Sequence, residues 1–301
     1  MNRVRKQLEV PEGIEKAAGR ITVAVLDTGI GRHPDLAGKI LVFRDFVHDR
    51  KLMYDDSGHG THVSGIICGM GKLSGGIYQG MAPGAMLVVG KVLDKNGDGT
   101  TEHMLEGLRW ISEVKDKYHI RVLNVSVGIG MLDNHRKEEV LKRQLDMLWD
   151  QGIFVVCAAG NKGPDNNSIS ALGSGGKIVT VGCHDGSFFA GNPRRCESYS
   201  GRGAALSALR KPDLVAPGTE VVSCNVECHK RAGKWQQPYM SKSGTSMATP
   251  IVAGAAALAL GKYPNMTNEE LRHKMTLTAT DLGEPWNKQG WGMINVKRLL
   301  E

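Results

Sequence analysis

The sequence predicts an α/β fold in which helices cover both faces of a mostly parallel central sheet. Five short apolar runs rich in β-branched residues have the length of buried strands: 21–26, 87–92, 122–127, 153–158 and 178–181. Helical patterns near 101–118 and 135–151 lie between these runs. Strands that alternate with helices need crossover connections, which place helices on both faces of a parallel sheet. Ligands of such sheets bind beyond the carboxyl ends of the strands.

The composition bounds the number of domains and the classes of partner. The chain has 301 residues, 41% of them hydrophobic, and neither a linker nor a repeat divides it, so we expect a single domain over 1–301. The formal charge is +7, but the basic residues are dispersed, which argues against nucleic acid as a partner. The longest apolar run, Ile251–Leu260, is too short to cross a bilayer, so we expect no membrane partner.

The cysteines and the amino-terminal segment bear on the cellular compartment. Cys68, Cys157 and Cys183 lie inside apolar runs, where free thiols pack as small hydrophobic side chains. Charges interrupt residues 1–20, so this segment does not have the apolar core of a signal peptide. Both observations favour a cytoplasmic protein, although a secreted mature form or a trimmed chain would look the same.

Ser246 is a candidate nucleophile at the start of a predicted helix. It lies in the segment Ser243–Pro250, and a run of small apolar residues follows. Free backbone N–H groups and the positive end of a helix dipole at this position would stabilise an oxyanion. A serine that only caps the helix explains this segment equally well.

A candidate base and its partner come earlier in the chain. His59 and His62 lie in a glycine-containing segment before a helix, and one of them suits general-base catalysis better than metal binding. Asp27 ends the first apolar run, where a carboxylate can orient an imidazole, although a turn aspartate is also common there.

Together these three segments closely resemble the motifs of the subtilisin-like serine proteases, in the same Asp, His, Ser order. The resemblance covers nearly the whole chain, through HPDL at 33–36, MAP at 81–83, NVSVG at 124–128, AAGN at 158–161, KPDLVAPG at 211–218 and GWGMINV at 290–296. It implies a three-layer subtilisin-like fold and a serine endopeptidase that cleaves extended polypeptide segments through an acyl-enzyme. This chemistry requires no cofactor.

The resemblance also assigns roles to individual residues. It implies a triad of Asp27, His62 and Ser246, with His62 rather than His59 as the base, and Asn161 as an oxyanion donor. The substrate-binding residues it implies are Gly97, Asp98, Gly99, Ser126, Val127, Gly128, Gly160 and Lys162. Lys162 lies where relatives often carry an acidic or neutral residue at the rim of the S1 pocket. We therefore expect weakened cleavage after Lys and Arg.

Metal binding stays open at this stage. Asp35 matches a calcium ligand of the family, but the segment 73–77 lacks the asparagine usual in the corresponding loop. Cys224 and Cys228, with His229, have a spacing that could supply two metal ligands. The sequence has no second ligand pair at the spacing of a zinc finger.

The short segment before Asp27 resembles that of the intracellular bacterial subtilisins. By that comparison residues 1–12 are an amino-terminal extension that occupies the groove. A homo-oligomer, a dedicated processing peptidase and a non-catalytic scaffold protein all remain compatible with the sequence. An α/β-hydrolase does not, because the residues after Ser246 do not supply a separated acid and histidine.

Overall fold

A seven-stranded parallel sheet forms the centre of the computed structural model, which describes residues 1–14, 17–127, 135–189, 195–205 and 209–301. Its strands are β1 Thr22–Asp27, β2 Ile40–Asp45, β3 Met86–Lys91, β4 Ile120–Val125, β5 Phe154–Ala158, β6 Val179–Cys183 and β7 Leu214–Ala216. They lie in the order β2-β3-β1-β4-β5-β6-β7. Two antiparallel hairpins follow, in which β8 Val221–Cys224 pairs with β11 Tyr239–Lys242, and β9 His229–Arg231 pairs with β10 Lys234–Gln236.

The helices supply the two outer layers. Their bounds are α1 Asn2–Gln7, α2 His59–Cys68, α3 Thr101–Val114, α4 His135–Asp150, α5 Thr245–Lys262, α6 Asn268–Thr278, α7 Trp286–Gln289 and α8 Val296–Leu300. Helices α2 and α5 pack against each other and against the sheet, and α3 and α4 form a second packed pair. This arrangement is the predicted three-layer α/β fold.

The five predicted strands and two predicted helices are confirmed within a few residues at their ends. Strands β2 and β7 were missed for different reasons. Five of the six residues in β2 remain partly or fully exposed because it forms an edge of the sheet, and β7 has only three residues. Residues 40–43 of β2 form a short apolar run that the sequence analysis did not assign to a strand, and the three residues of β7 are too few to show such a run.

Helix α5 fills the space between α2 and the sheet. Nearly all of its side chains are buried, and alanine is the commonest residue among them, as expected for a helix that is apolar on every side. Small side chains allow close packing: a Cβ on Gly254 would lie 2.5 Å from the Cβ of Met81. No helix of the described residues is both long and apolar enough to cross a membrane.

One expectation about the cysteines needs correction. Cys183 is not a free thiol, because it forms a disulfide with Cys196, whereas Cys68 and Cys157 are free and buried as predicted. Occupation of the groove by residues 1–12 stays a prediction. The side chain of Gln7 binds the carbonyl of Asp185, and the Leu8 carbonyl accepts from the amide of α8.

Candidate active site

The candidate site residues lie where four neighbouring strands end. Asp27 is the last residue of β1, and the segments around 97–99, 126–127 and 160–162 follow β3, β4 and β5. These strands are adjacent in the order β3-β1-β4-β5 and run parallel, so their carboxyl ends share one edge of the sheet. This is the edge at which parallel α/β sheets bind ligands.

His59, and not His62, is the histidine that contacts Asp27. The Nδ1 atom of His59 lies 2.7 Å from Oδ1 of the fully buried Asp27. The carboxylate accepts this hydrogen bond, so Nδ1 carries the hydrogen and the neutral ring keeps its lone pair on Nε2. The side chain of His59 is 24% exposed, which leaves the ring accessible from the groove. Burial lowers the pKa of His59, but the charge and hydrogen bond of Asp27 outweigh this effect, and the net pKa is raised.

The assignment of the base to His62 is therefore wrong. His62 is fully buried one turn further along α2, and its Nε2 lies 3.0 Å from the carbonyl oxygen of Val221 and 3.2 Å from that of Met240. Carbonyls only accept hydrogen bonds, so this ring donates from Nε2 and connects α2 to the β8–β11 hairpin. Burial and the charge of Lys242 lower the pKa of His62 to about 3, and the ring is neutral at pH 7.

A buried aspartate that the sequence analysis did not identify fixes the start of α2. The Asp55 carboxylate accepts hydrogen bonds from the backbone N–H of Gly58 at 2.8 Å and of Thr61 at 2.8 Å. It also accepts from the hydroxyls of Thr28 at 2.8 Å and Thr61 at 2.6 Å. Burial raises the pKa of Asp55, but these donors outweigh it and the net pKa is lowered. Asp55 thus holds His59 next to β1.

Gly60 allows α2 to approach the turn after β1. A Cβ at this position would lie 2.2 Å from the carbonyl oxygen of Gly29, which no side chain could tolerate without displacing the backbone. The amide of Gly60 donates to the hydroxyl of Thr28 at 2.9 Å. The glycine between the two histidines therefore has a steric role in bringing His59 to Asp27.

A buried lysine supports the same turn from the β3 side. Lys91 lies beside Asp27 in the β1–β3 register, and its Nζ donates to the carbonyl oxygens of Thr28 at 2.7 Å and Leu93 at 2.8 Å. It also contacts Asp56 at 2.7 Å. No motif marked this residue, because its role depends on the register of two strands that are far apart in sequence.

Ser246 is the second residue of α5 and does not cap the helix. The N-cap is Gly244, whose φ of 136° suits glycine, and it makes no side-chain capping bond. Ser246 is half-buried. Among the described residues neither its hydroxyl nor its backbone N–H has a hydrogen-bond partner. Ser246 is therefore not the capping residue of α5, and the nucleophile interpretation remains. Its free N–H lies at the positive end of the helix dipole.

Asn161 is held beside the start of α5. Its Oδ1 accepts hydrogen bonds from the backbone N–H and the hydroxyl of Thr245, both at 3.0 Å. These bonds leave the Nδ2 amide as the free donor of an exposed side chain. The structure therefore brings together the Asn161 amide and the amino-terminal end of α5, as the oxyanion prediction requires.

The predicted groove residues lie at the same edge. Gly97, Asp98 and Gly99 are exposed in a turn that follows β3, and the buried Ser126 and Val127 continue from β4. Gly128 lies outside the described residues. Gly160 is buried with a φ of 93°, which suits glycine, and Lys162 is exposed two residues later. Substrate binding by these residues stays a prediction.

The surroundings of Asp35 do not fit the calcium that the resemblance left open. Oδ2 accepts the hydroxyl of Tyr239 at 2.7 Å, and Oδ1 accepts the backbone N–H of Leu73 at 3.2 Å. Its neighbouring ligand atoms are an imidazole nitrogen of His33 and the sulfur of Cys224. Calcium prefers six to eight oxygen ligands, so this donor set does not suit it.

The chain is similar in sequence to known proteins over most of its length. The model of the Subtilase family of peptidases matches residues 19–292. Serine protease AprX of Bacillus subtilis is 38% identical over 289 residues, which cover 92% of the chain and 65% of AprX. Subtilisin DY of Bacillus licheniformis is 34% identical over 280 residues, which cover 92% of the chain and 89% of that protein. The chain thus spans about two thirds of the length of AprX.

A solved structure agrees with the sequence comparisons. The crystal structure of a cold adapted subtilisin-like serine proteinase superposes with a TM-score of 0.69 at 28% identity. The match covers 91% of this chain and 86% of that structure. The similarity therefore extends over most of the chain.

Proposed function

The chain belongs to the subtilase family of serine proteases, and from this premise we propose that it is an endopeptidase with Asp27, His59 and Ser246 as its catalytic triad. The observation that carries the proposal is the 2.7 Å contact between His59 Nδ1 and Asp27 at the carboxyl edge of the sheet. This contact leaves Nε2 of a partly exposed imidazole as the free base.

The proposed mechanism is acyl transfer. Ser246 attacks the scissile carbonyl while His59 Nε2 takes its proton and then returns it to the leaving amine. Asp27 keeps the His59 ring in the tautomer that carries the hydrogen on Nδ1, and it stabilises the imidazolium that forms. No hydrogen bond between described residues joins His59 to Ser246, and such bonds often tighten only when substrate binds. The Ser246 N–H and the Asn161 amide stabilise the oxyanion, and water releases the acyl-enzyme.

The proposed substrates are extended polypeptide segments. The turn at 97–99 and the residues 126–127 follow two strands on either side of β1, and both segments lie outside the paired part of the sheet. A peptide between them would form main-chain hydrogen bonds. The exposed Lys162 would disfavour a basic side chain in the adjacent pocket by a small, salt-dependent margin.

A serine-reactive fluorophosphonate and a mixed peptide set test the proposal. We expect the reagent to label Ser246 and the wild type to cleave unfolded peptides, with few cuts after Lys or Arg. Asn161→Ala should lower kcat by about 10²–10³ with little change in KM, a magnitude carried over from a subtilisin.

The controls separate catalysis from folding. Ser246→Ala should lose both label and cleavage, whereas Ser243→Ala should keep both, because Ser243 is an exposed serine three residues away whose hydroxyl only accepts from Glu220 N–H. A folded wild type with neither label nor cleavage would instead support the scaffold interpretation. The cut sites also distinguish a processing peptidase, which would cleave few sequences, from an enzyme of general turnover.

The location of the protein stays a prediction. The thiol argument for the cytoplasm now rests on Cys68 and Cys157 alone, since Cys183 is paired with Cys196. We retain the cytoplasm as the proposed compartment on this reduced basis. Partner subunits also stay open.

A further inference from the structure

A buried cluster of three metal-ligating side chains lies beneath the β8–β11 hairpin. His33, Asp35 and Cys224 are all buried, and one ligand atom from each lies within 4.8 Å of the other two. His33 and Asp35 come from the turn around Pro34–Leu36 that follows β1, whereas Cys224 ends β8. The cluster therefore joins parts of the chain nearly 190 residues apart.

The β8–β11 hairpin brings His33, Asp35 and Cys224 together. Tyr239 pairs with Cys224 across β8 and β11 and donates its hydroxyl to Asp35 at 2.7 Å. The carbonyl of Pro238, the residue before β11, lies 2.7 Å from Nε2 of His33. Strand pairing thus fixes the position of Cys224 over the turn that carries the other two ligands.

The hydrogen bonds of His33 leave it in the state that a metal requires. Nε2 faces a carbonyl oxygen, so it carries the hydrogen, and Nδ1 accepts the N–H of Asp35 at 3.1 Å and therefore has a lone pair. An imidazole that donates its other N–H to a backbone carbonyl is the usual arrangement of a metal ligand. Nδ1 would exchange a weak hydrogen bond for a metal.

The charge of Asp35 also calls for a cation. This carboxylate is fully buried, and none of the salt bridges found among the described residues involves it. Its hydrogen-bond donors, Tyr239 and the N–H of Leu73, are neutral. Buried charges in proteins are normally paired or bound to a metal.

We propose that His33, Asp35 and Cys224 bind a zinc-class divalent transition metal. The donor set of one nitrogen, one carboxylate oxygen and one thiolate suits zinc, whereas calcium prefers oxygen alone. Binding displaces the thiol proton of Cys224 to solvent. A three-ligand site keeps a fourth position for water.

A surface cavity reaches His33, one of the three proposed ligands. A cavity of about 950 Å³ is lined by both His33 and Cys228, together with Trp235 of β10. Cys228 is only half-buried. A metal ion can therefore reach the imidazole from solvent without opening the sheet.

Titration with Co²⁺ tests the proposal independently of turnover. The protein carries Ser246→Ala to prevent self-cleavage and is kept reduced and metal-free. We expect one equivalent of Co²⁺ to produce a thiolate-to-cobalt charge-transfer band and the visible bands of a tetrahedral ion, and Zn²⁺ to abolish both. Zn²⁺ should also raise the midpoint of thermal unfolding.

Two further variants identify the ligands. Cys224→Ser should lose the charge-transfer band, whereas Cys157→Ser should keep it, because Cys157 is a buried free thiol in β5 outside the cluster. His33→Gln provides a second test should Cys224→Ser fail to fold, and it should weaken Co²⁺ binding at least tenfold. Absence of the band in the Ser246→Ala protein, its persistence in Cys224→Ser, or stabilisation by Ca²⁺ instead of Zn²⁺ would each overturn the proposal.

Discussion

His59 and His62 are one helical turn apart and have opposite environments. His59 is the first residue of α2, at the edge of the sheet, and contacts a carboxylate. His62 lies about 4.5 Å further along the helix axis, where its ring forms hydrogen bonds to two carbonyl oxygens of the described residues. The segment HGTH has a histidine at both ends, so the sequence alone does not say which one is the catalytic base and which one has a structural role. Only the position of the helix relative to β1 decides between them, and that position depends on Asp55 and Gly60.

Matched substitutions should separate the two histidines. We expect His59→Gln to lower kcat by a factor on the order of 10⁴–10⁶, because it removes the only base in contact with Asp27. His62→Gln should leave kcat within about tenfold, because a glutamine amide can still donate to the hairpin carbonyls. Steady-state kinetics on one peptide check both values. A larger loss of kcat in His62→Gln than in His59→Gln would contradict our assignment.

Helix α2 shows how far an element can be predicted without its neighbours. The small residues after His62 indicated a helix that would follow both histidines, but α2 already begins at His59, so both histidines lie on the helix. The residue that orients this helix, Asp55, precedes it in a loop and had no motif to mark it. Likewise β7 escaped prediction because three residues are too few to show a strand pattern, whereas the short apolar run of β2 was not assigned to a strand.

Loss of the Asp55 carboxylate should weaken both the helix start and catalysis. Asp55→Asn converts one acceptor into a donor that faces backbone N–H groups, so we expect the free energy of unfolding to fall by about 1–3 kcal/mol. The displacement of His59 should lower kcat more than it raises KM. Urea unfolding and kinetics measure the two effects.

Asp49→Asn is the matched control for this experiment. Asp49 pairs with Lys51 on the surface, where both side chains are 84% exposed, so its loss should change stability little. An Asp55→Asn variant as stable and as active as Asp49→Asn would show that the contacts of Asp55 do not position α2.

At the scale of the whole molecule, the order of motifs along the chain predicted the family and the general architecture. The contacts between distant segments could not be predicted in this way. The disulfide between Cys183 and Cys196, and the cluster of His33, Asp35 and Cys224, depend on which loops the sheet brings together. An apolar run does not reveal which distant residue each of its cysteines contacts. A cysteine in a strand has the same sequence pattern whether its thiol is free or part of a disulfide.

The buried histidine at the β8–β11 hairpin should couple the stability of the whole fold to pH. Its pKa is about 3 in the folded chain against 6.5 ordinarily, so the unfolded state binds one proton more between these values. The contribution of His62 to stability is thus complete above about pH 6.5 and is lost as the pH falls, at up to about 1.4 kcal/mol per pH unit. The raised pKa of His59 acts in the opposite direction.

Comparison with His62→Gln isolates this contribution, since the other titrating groups are common to both proteins. In the Ser246→Ala background, the free energy of unfolding in urea should fall more steeply from pH 7 to pH 5 when His62 is present than in the His62→Gln variant. His273→Gln, which alters an exposed histidine of α6, should keep the steep dependence. Equal slopes with and without His62 would mean that this ring is protonated in the folded chain, which its burial, the charge of Lys242 and a buried Nδ1 without a partner in the described residues disfavour.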